Sequence, residues 1–509
     1  MKKIVPLLLA CVMLCGLCAC GKEEPAPQTT TAAPATQPAP TVQVTEGQPI
    51  EQLDDVSVYI GVSGTVKELP GLPAYTYSAD VKPAYKEIKY TRNKMPAYTL
   101  GNTDAAAFIH YLNALEADGW VQYSNNIIEG TNLFATYVKD SGSLYCYYIS
   151  AKNRAYIIPS PDQNLEPNGQ DKPYEKVCQP LLTQVKLLMD VWDGGMSYLI
   201  RLSDGRFIVI DGGYKEPNNA ESTHLYQLLQ EQNVLDKITI AAWIFTHPHS
   251  DHLGVPAEFL KEYDASDVTI ESFIYNFPAD EAILPVEPVT VEDTEHPGRM
   301  PTFLATLDAY WPDVPVITCH TGQEYCYADV KLECLHTYED FYPKDLTNLA
   351  TDPVNGSSSV FRMEIGGQKI MFYADASVDA SKDMVKMWSD YLKSDIMQAN
   401  HHGLNGGTIT LFEATDPNVV MVPMNVNYIP QVLSHEQSRW VWNNGSGNIR
   451  EVMLAEWEEY VLELPYTSLL RMLLTSPKMQ RTPGAAPATS IRSSTDSERG
   501  GNYRERDQV

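Results

Sequence analysis

The feature that most constrains this chain is a cluster of metal-binding side chains at residues 246–252, which read Thr-His-Pro-His-Ser-Asp-His. The apolar run 238–245 leads into the cluster, and residues 253–263 have the pattern of a helix that leaves it. Imidazoles mixed with a carboxylate favour zinc or a similar divalent transition metal over calcium or magnesium. The sequence therefore predicts a metal site at the end of a strand. The alternative is a solvated, histidine-rich turn.

Three more strand-like runs end at acidic residues or histidines. They are 207–210 before Asp211, 369–373 before Asp375, and 395–400 before His401 and His402. Together with the cluster, this ordered series resembles the metallo-β-lactamase superfamily. The resemblance implies an α/β fold, an αββα sandwich that holds one or two metal ions at the edge of its sheets.

The resemblance also implies a role for each of these residues. The first metal is expected to bind His247, His249 and Asp375, and the second Asp251, His252, Asp375 and His402. Asp375 then bridges the two ions, and Asp211 supports the metal-binding loop without binding metal. His402 is preferred to His401 as the ligand because the family usually places glycine directly after it. His401 is expected beside the ligands, with a catalytic role.

The chain departs from the family pattern at one position. Many members carry another histidine before the bridging aspartate, whereas residues 355–362 contain none. Asn355 and Ser358 are therefore candidates to face the first metal and bind substrate. In this respect the sequence resembles the hydrolase domain of ComEC-type competence proteins. That subgroup also has an Asn/Ser-rich strand start, a bridging Asp and a final His-His-Gly motif. His435 matches a later histidine of that subgroup and is a candidate to bind the substrate anion or protonate the leaving group; a surface-loop histidine is the alternative.

Paired cations lower the pKa of a shared water and so provide hydroxide near neutral pH. The sequence therefore predicts a metal-dependent hydrolase in which Asp251 orients the water. Two zinc ions are expected, with manganese as an alternative, and the favoured substrate is a phosphoester or phosphodiester. The alternatives are a lactonase or β-lactamase, which generally use a full first site, and a non-enzymatic surface-binding lipoprotein.

The net charge narrows the choice of substrate. The chain has 37 Lys+Arg and 65 Asp+Glu, which gives a formal charge of −28. The average field repels polyanions, and this argues against long nucleic acid as a partner. We expect a small or surface-presented phosphoester that is attracted by the metals. Nothing in the sequence indicates a protein partner.

The N-terminus has the features of an export signal. Two lysines, an apolar run over 4–17 and the ending Leu-Cys-Ala-Cys predict a signal peptide at residues 1–19. The ending resembles the bacterial lipoprotein box, which implies lipid attachment to Cys20; an ordinary signal peptide is the alternative. Residues 20–54, rich in Pro and Thr, predict a disordered linker. We therefore expect an extracytoplasmic protein held at the membrane by its lipid anchor alone.

The rest of the chain divides into three regions that differ in composition and hydrophobic pattern. Residues 55–160 predict a small α+β domain of unknown role, residues 174–465 the hydrolase domain, and residues 466–509 a disordered tail. In the small domain a helix is expected after Asp104, and the strand-like runs are 120–123, 133–139, 143–149 and 155–158. Its 13 tyrosines suit half-buried strands, with a sugar- or wall-binding face as the alternative.

Five cysteines follow the predicted signal and lipidation site, namely Cys146, Cys178, Cys319, Cys326 and Cys334. None forms a Cys-x-x-Cys pair, which argues against a thiolate zinc site. A disulfide within 319–334 is compatible with an oxidising compartment, but the odd number fits small buried side chains better.

Overall fold

The structure is a computed structural model that describes residues 64–79, 81–88, 91, 93–168, 173–188, 195–215, 220–279, 282, 300–342 and 353–467. The predicted signal peptide, Cys20 and the linker lie outside these residues, as does the predicted tail beyond Thr467. Within the described part, no helix combines the length and apolar character needed to cross a bilayer.

A hairpin and a six-stranded antiparallel sheet form the N-terminal part of the described chain. The elements are β1 (Val66–Leu69), β2 (Leu72–Thr76), β3 (Ala84–Ile88), β4 (Ala97–Gly101), α1 (Ala105–Ala117), β5 (Val121–Ile128), β6 (Asn132–Lys139), β7 (Gly142–Ile149) and β8 (Arg154–Ser160). The larger sheet has the order β3-β4-β8-β7-β6-β5. Helix α1 begins after Asp104, whose carboxylate accepts a hydrogen bond from the Ala107 amide at 2.8 Å, and this confirms the predicted cap.

Strand β5 differs from its prediction, which ended at residue 123. The strand continues through Ser124 and two asparagines to Ile128. These residue types are poor strand formers, but β5 pairs with β6 along its length at the edge of the sheet. Cross-strand pairing therefore overrides local propensity here.

Two further sheets make up the rest of the chain. Its first half contains β9 (Leu181–Gln184), β10 (Ser197–Arg201), β11 (Phe207–Asp211), α2 (Ala220–Gln232), β12 (Ile238–Ile244), α3 (Ser250–Glu262), β13 (Val268–Ile270), β14 (Phe273–Ile274), α4 (Met300–Tyr310) and β15 (Val316–Ile317). These strands form one sheet in the order β15-β14-β12-β11-β10-β9, with β13 also paired to β12.

The second half contributes the other sheet. Its elements are β16 (Glu324–Tyr327), β17 (Val330–His336), α5 (Pro353–Gly356), β18 (Val360–Ile365), β19 (Gln368–Phe372), α6 (Val378–Trp388), β20 (Ile396–Gln398), α7 (Ile409–Thr415), β21 (Val419–Val422), α8 (Ile429–Val432), α9 (Glu436–Trp442), β22 (Glu451–Leu454) and β23 (Tyr460–Glu463). Strands β16 to β22 pair in sequence order, whereas β23 returns to the first sheet beside β9.

The two sheets pack face to face with helices on their outer sides. In β11, Ile208 and Ile210 point into the core between the sheets, while Phe207 and Val209 pack under the helices. This alternation is the period of two that a sheet buried on both faces requires. Helices α2 to α4 cover the first sheet, and α6, α7 and α9 cover the second. The predicted αββα sandwich is confirmed.

The small α+β part packs against the second sheet and its helices. Tyr145 and Tyr147 lie in one apolar cluster with Trp388 of α6. The Tyr145 hydroxyl donates to the carbonyl of Thr321 at 2.7 Å, and the Lys152 ammonium lies 2.5 Å from the Asp383 carboxylate. These tyrosines are therefore buried between parts of the chain and are not available to an external ligand.

Candidate metal centre

The histidine cluster lies between the end of β12 and the first turn of α3. The helix begins at Ser250, earlier than the predicted residue 253, because His249 adopts an extended N-cap conformation. Asp251 and His252 therefore project from a helix and not from a loop. The polar start of α3 interrupts its apolar periodicity, and this is why the pattern alone placed the helix too late.

Asp211 ends the neighbouring strand β11, and the glycine after it allows α3 to come close. A Cβ on Gly212 would lie 2.4 Å from Cδ of Pro256 in α3. Strands β11 and β12 run parallel, so their carboxyl ends lie side by side and bring Asp211 next to the cluster. The Asp at the strand end is thus brought to the site by strand pairing, and the Gly after it is required for α3 to pack closely.

The structure brings the residues assigned by resemblance into two groups that share one aspartate. The first group is His247, His249 and Asp375, and the second is Asp251, His252, Asp375 and His402. Within each group the ligand atoms lie within 4.8 Å of one another. This spacing is suitable for two metal ions, one in each group.

Asp375 lies between the two groups, and each of its carboxylate oxygens faces imidazole nitrogens. Its Oδ1 lies 3.3 Å from Nε2 of His252, and its Oδ2 lies 3.3 Å from Nε2 of His402 and 3.9 Å from Nε2 of His247. Oδ2 of Asp251 lies 3.1 Å from Nε2 of His402. Asp375 therefore occupies the position of a bridging ligand.

Asp211 and Thr246 orient two of the imidazoles from behind. Nδ1 of His252 donates to Oδ2 of Asp211 at 2.7 Å. The Thr246 hydroxyl donates to the same oxygen at 2.7 Å, and its amide donates to Oδ1 at 2.8 Å. Nδ1 of His247 lies 3.1 Å from the Thr246 hydroxyl and can donate to it. These hydrogen bonds leave both Nε2 atoms facing the centre.

The other two imidazoles are placed by different contacts. Nδ1 of His402 donates to the carbonyl of Pro423 at 2.9 Å, which again leaves Nε2 towards the centre. His249 instead offers Nδ1, which lies 3.0 Å from Nε2 of His247. The sequence analysis did not single out Thr246 or Pro423. Thr246 directly precedes the cluster, and this position is the only sequence signal for its role.

The donor atoms fit divalent metal ions. Nε2 of His252, Nε2 of His402 and Oδ1 of Asp375 are buried and make no well-formed hydrogen bond with the described residues, although ligand atoms of opposite charge lie 3.1–3.3 Å away. Buried polar atoms without hydrogen bonds are costly and rare in folded proteins, and metal coordination would satisfy all three. Nitrogen ligands mixed with two carboxylates match the preferences of zinc and related ions.

The centre holds strongly perturbed ionisable groups. Burial alone would lower the pKa of His252, but the carboxylates of Asp375, Asp211 and Asp251 outweigh it and raise this pKa to about 10. Burial would likewise raise the pKa of Asp375, but the imidazoles of His402, His252 and His401 hold it well below its usual value. In His247, burial and the neighbouring imidazoles of His252 and His249 push the pKa well below its usual value.

Four residues beside the centre adopt backbone conformations that are unusual for residues with side chains. Asp211, Ala374, His401 and His402 have φ of 53°, 49°, 47° and 54°. Such conformations cost free energy and cluster at functional sites. Ala374 and the two histidines lie at the ends of neighbouring strands, and the amide of His401 donates to the carbonyl of Ala374 at 2.9 Å. This contact fixes the histidine turn next to Asp375.

His401 lies beside the bridging Asp375, and Asn355 lies beside His401. Nε2 of His401 is 3.7 Å from Oδ2 of Asp375 and 3.4 Å from Nδ2 of Asn355. The His401 side chain is 16% exposed, whereas that of His402 is 4% exposed. Ser358 is buried, and its hydroxyl makes no hydrogen bond. His401 therefore lies close to the centre without belonging to either ligand group.

Three other histidines of the described residues, His435, His320 and His336, belong to neither ligand group. His435 is the N-cap residue of α9, a helix whose Gln437 donates to the carbonyl of Leu404 at 2.7 Å. Nδ1 of His320 pairs with Oε2 of Glu339 at 2.8 Å, and His336 lies 3.6 Å from the Asp383 carboxylate. The structure thus places His435 on an element that supports the histidine turn but not among the ligand atoms.

Comparison with known proteins agrees with this geometry. The family model of the metallo-beta-lactamase superfamily matches residues 190–423. No protein of curated function matches the chain. Residues 190–423 are therefore similar to the metallo-β-lactamase superfamily, a hydrolase fold, and the residues grouped here fit a dimetal centre.

Solved structures with a similar arrangement have distant sequences. The metallo-β-lactamase fold protein YhfI from Bacillus subtilis is 13% identical, with 56% of this chain and 100% of that chain covered and a TM-score of 0.33. CmlA, a diiron β-hydroxylase from Streptomyces venezuelae, is 13% identical, with 58% and 55% covered and a TM-score of 0.34. MEM-A1, a subclass B3 metallo-β-lactamase from a soil metagenome library, is 14% identical, with 47% and 83% covered and a TM-score of 0.28.

Proposed function

We propose that this protein is a zinc-dependent phosphoesterase or phosphodiesterase that acts outside the cytoplasmic membrane. The proposal is carried by the unequal ligand groups. The second group has four residues, whereas the first has only two histidines and the shared Asp375. His401 lies 3.7 Å from the shared Asp375, and Asn355 lies 3.4 Å from His401, so no third histidine is added to the first group. An incomplete first group favours phosphate esters over carboxylic bonds, because lactonases and β-lactamases of the superfamily generally use a full first site.

Two divalent ions bound here would lower the pKa of a bound water. Their positive charge would also polarise a phosphoryl oxygen of the substrate. Asp375 holds the two ligand groups at a fixed separation. Asp251 is the more exposed ligand carboxylate, with 14% of its side chain exposed against 2% for Asp375. Asp251 is therefore the group placed to accept a proton and release it to solvent.

Asn355 and His401 provide polar groups beside the shared Asp375. The Asn355 amide donates hydrogen bonds without carrying charge, and it is held beside the His401 ring at 3.4 Å. Donors fixed in this way can orient a phosphoryl oxygen and stabilise the charge that develops on it. The hydrogen-bond donors of Asn355 and His401 would then partly compensate for the missing third histidine of the first ligand group.

The net charge of the protein supports a small or surface-presented phosphoester as the substrate. With a formal charge of −28, the protein repels long polyanions on average. The attraction for an anionic substrate must then come from the metal ions. The signal-like N-terminus and Cys20 support a location at the outer face of the membrane, where such substrates are presented.

Turnover by the metal-loaded protein tests this function. We expect hydrolysis of bis-p-nitrophenyl phosphate by the wild type, loss of it in Asp375→Ala, and retention in Asp118→Ala. Asp118 is a matched control because its carboxylate only pairs with Lys139 at an exposed position of the small domain. Hydrolysis of nitrocefin or a homoserine lactone without phosphodiester turnover would overturn the proposal.

The location is tested separately from the activity. We expect the wild-type protein to sediment with membranes and Cys20→Ala to remain in the soluble fraction. A wild-type protein that is fully soluble would contradict the lipid anchor without affecting the phosphoesterase assignment.

A further inference from the structure

The histidine turn, residues 400–404, has an unfavourable backbone at the position of a metal ligand. His401, His402 and Gly403 have φ of 47°, 54° and 86°, so three successive residues are left-handed. Glycine adopts this conformation readily, whereas it costs free energy for the two histidines. Such a conformation persists only where surrounding contacts hold it. The contacts of this turn therefore determine where the His402 ring can lie.

On one side, the turn is bound to the segment that carries Asp375. The amide of His401 donates to the carbonyl of Ala374 at 2.9 Å, and Nδ2 of the buried Asn400 donates to the carbonyl of Ala376 at 2.8 Å. Both carbonyls belong to chain neighbours of Asp375. These bonds fix the start of the turn relative to the ligand that the two groups share.

On the other side, the turn is bound to helix α9. The hydroxyl of the buried Ser438 donates to the carbonyl of Gly403, and Nε2 of Gln437 donates to the carbonyl of Leu404 at 2.7 Å. These two carbonyls directly follow His402 in the chain. Helix α9 therefore holds the backbone on the far side of the ligand.

The position of the His402 ring depends on this backbone. The bond from its Nδ1 to the carbonyl of Pro423 directs the ring, but it does not fix the Cα from which the ring extends. Nε2 of His402 lies 3.1 Å from Asp251 and 3.3 Å from Asp375. Metal–ligand distances tolerate deviations of only about 0.2 Å. A small shift of the turn would therefore weaken the second ligand group.

We propose that Ser438 and Gln437 are positioning residues for metal binding: they hold the carbonyls that follow His402 and so keep its Nε2 in place among the second group of ligands. Both act through the backbone of the turn and not through a ligand side chain. The inference concerns metal binding and does not depend on which bond the enzyme hydrolyses, so it can fail while the phosphoesterase assignment stands.

Zinc affinity tests this role. Ser438→Ala removes the hydroxyl, and Gln437→Met removes the amide donor while it keeps the length of the side chain. We expect each change to lower the zinc affinity of the full chain by about 10-fold, since groups behind metal ligands commonly contribute this much. Ser434→Ala is the matched control with wild-type affinity, because the Ser434 hydroxyl donates to the carbonyl of Gln431 at an exposed position outside the turn. Competition with a chromophoric chelator measures all three variants.

Cobalt absorption separates positioning from general destabilisation. In the cobalt-loaded protein, we expect the visible bands to change in Ser438→Ala and Gln437→Met but not in Ser434→Ala, because the spectrum reports the arrangement of the ligands. A merely structural role would lower the melting temperature of the metal-free protein and leave the spectrum as in the wild type.

Two results would overturn the proposal. One is wild-type zinc affinity in the folded variants, and the other is a loss of affinity with an unchanged cobalt spectrum. If Ser438→Ala does not fold, Gln437→Met decides by the same two criteria, since the Gln437 side chain is partly exposed and its replacement leaves the core intact.

Discussion

Nδ1 of His252 lies 2.7 Å from the carboxylate of Asp211, and both residues are completely buried. The same carboxylate accepts two hydrogen bonds from Thr246. Asp211 belongs to neither ligand group, yet it orients His252 and the start of the histidine loop. A single acid behind the ligands therefore determines how the loop presents them.

Replacing Asp211 should weaken metal binding. We expect Asp211→Asn to lower the zinc affinity by about 10- to 100-fold, because the amide carries no charge to hold the His252 ring and offers only one acceptor oxygen. Competition with a chromophoric chelator measures this change. Asp204→Asn is the matched control, since Asp204 only pairs with Arg206 in the turn before β11. A folded Asp211→Asn protein with unchanged affinity would contradict the role of Asp211.

Metal binding should release protons. In the metal-free protein, the carboxylates around it raise the pKa of His252 to about 10, and those of Asp375 and Asp251 raise that of His402 as well. The His252 ring is therefore protonated at neutral pH and must lose a proton to bind metal, so we expect at least one proton released and an affinity that rises with pH. Calorimetry in buffers of different ionisation enthalpy measures this number. No proton release would show that the rings are already neutral.

Asn355 should affect turnover more than metal content. We expect Asn355→Ala to lower kcat by about 10- to 100-fold while two zinc ions stay bound, because the amide orients the substrate and is not a required ligand. Asn448→Ala is the control, since Asn448 bonds Asp416 at an exposed site. Loss of one zinc ion from Asn355→Ala would instead identify Asn355 as a ligand.

The contact between the small α+β part and α6 should contribute to stability. The ammonium of Lys152 and the carboxylate of Asp383 are largely buried and lie 2.5 Å apart. Lys152→Met should lower the free energy of unfolding by about 2 kcal/mol, because it leaves a buried carboxylate without its partner. Lys139→Met, which breaks an exposed pair with Asp118, should cost about 0.5 kcal/mol or less. Denaturant unfolding of both variants checks this, and equal losses would contradict it.

The same ion pair should give the Lys152→Met deficit a pH dependence. Lys152 and His336 outweigh burial and lower the pKa of Asp383 to about 2. A lowered pKa contributes stability above the unfolded value of about 4, and this contribution is lost as the pH falls through the folded value. The stability difference between wild type and variant should therefore shrink between pH ~4 and ~2. A difference that is constant over this range would exclude Asp383 as its source.

The parts of the site that lie at strand ends could be predicted from the sequence. The runs before Asp211, Asp375 and His401 are β11, β19 and β20, and the structure brings these residues to one edge of the sandwich. Each motif is local, with an apolar strand followed at once by its polar residue, and the parallel pairing of β19 with β20 aligns two of them.

The features that depend on distant contacts could not be predicted in this way. The burial of Tyr145 and Tyr147 depends on Trp388, more than two hundred residues later in the sequence. The spacing of residues within one segment cannot predict contacts between segments that are distant in the sequence.

The number of zinc ions bound per chain tests the central claim most directly. The two ligand groups share Asp375, so elemental analysis of the zinc-loaded wild type should find two ions per chain. Asp375→Ala should lose at least one of them while it remains folded, and Asp118→Ala should keep both. One zinc ion in the wild type, or two in a folded Asp375→Ala protein, would contradict a dimetal centre bridged by Asp375.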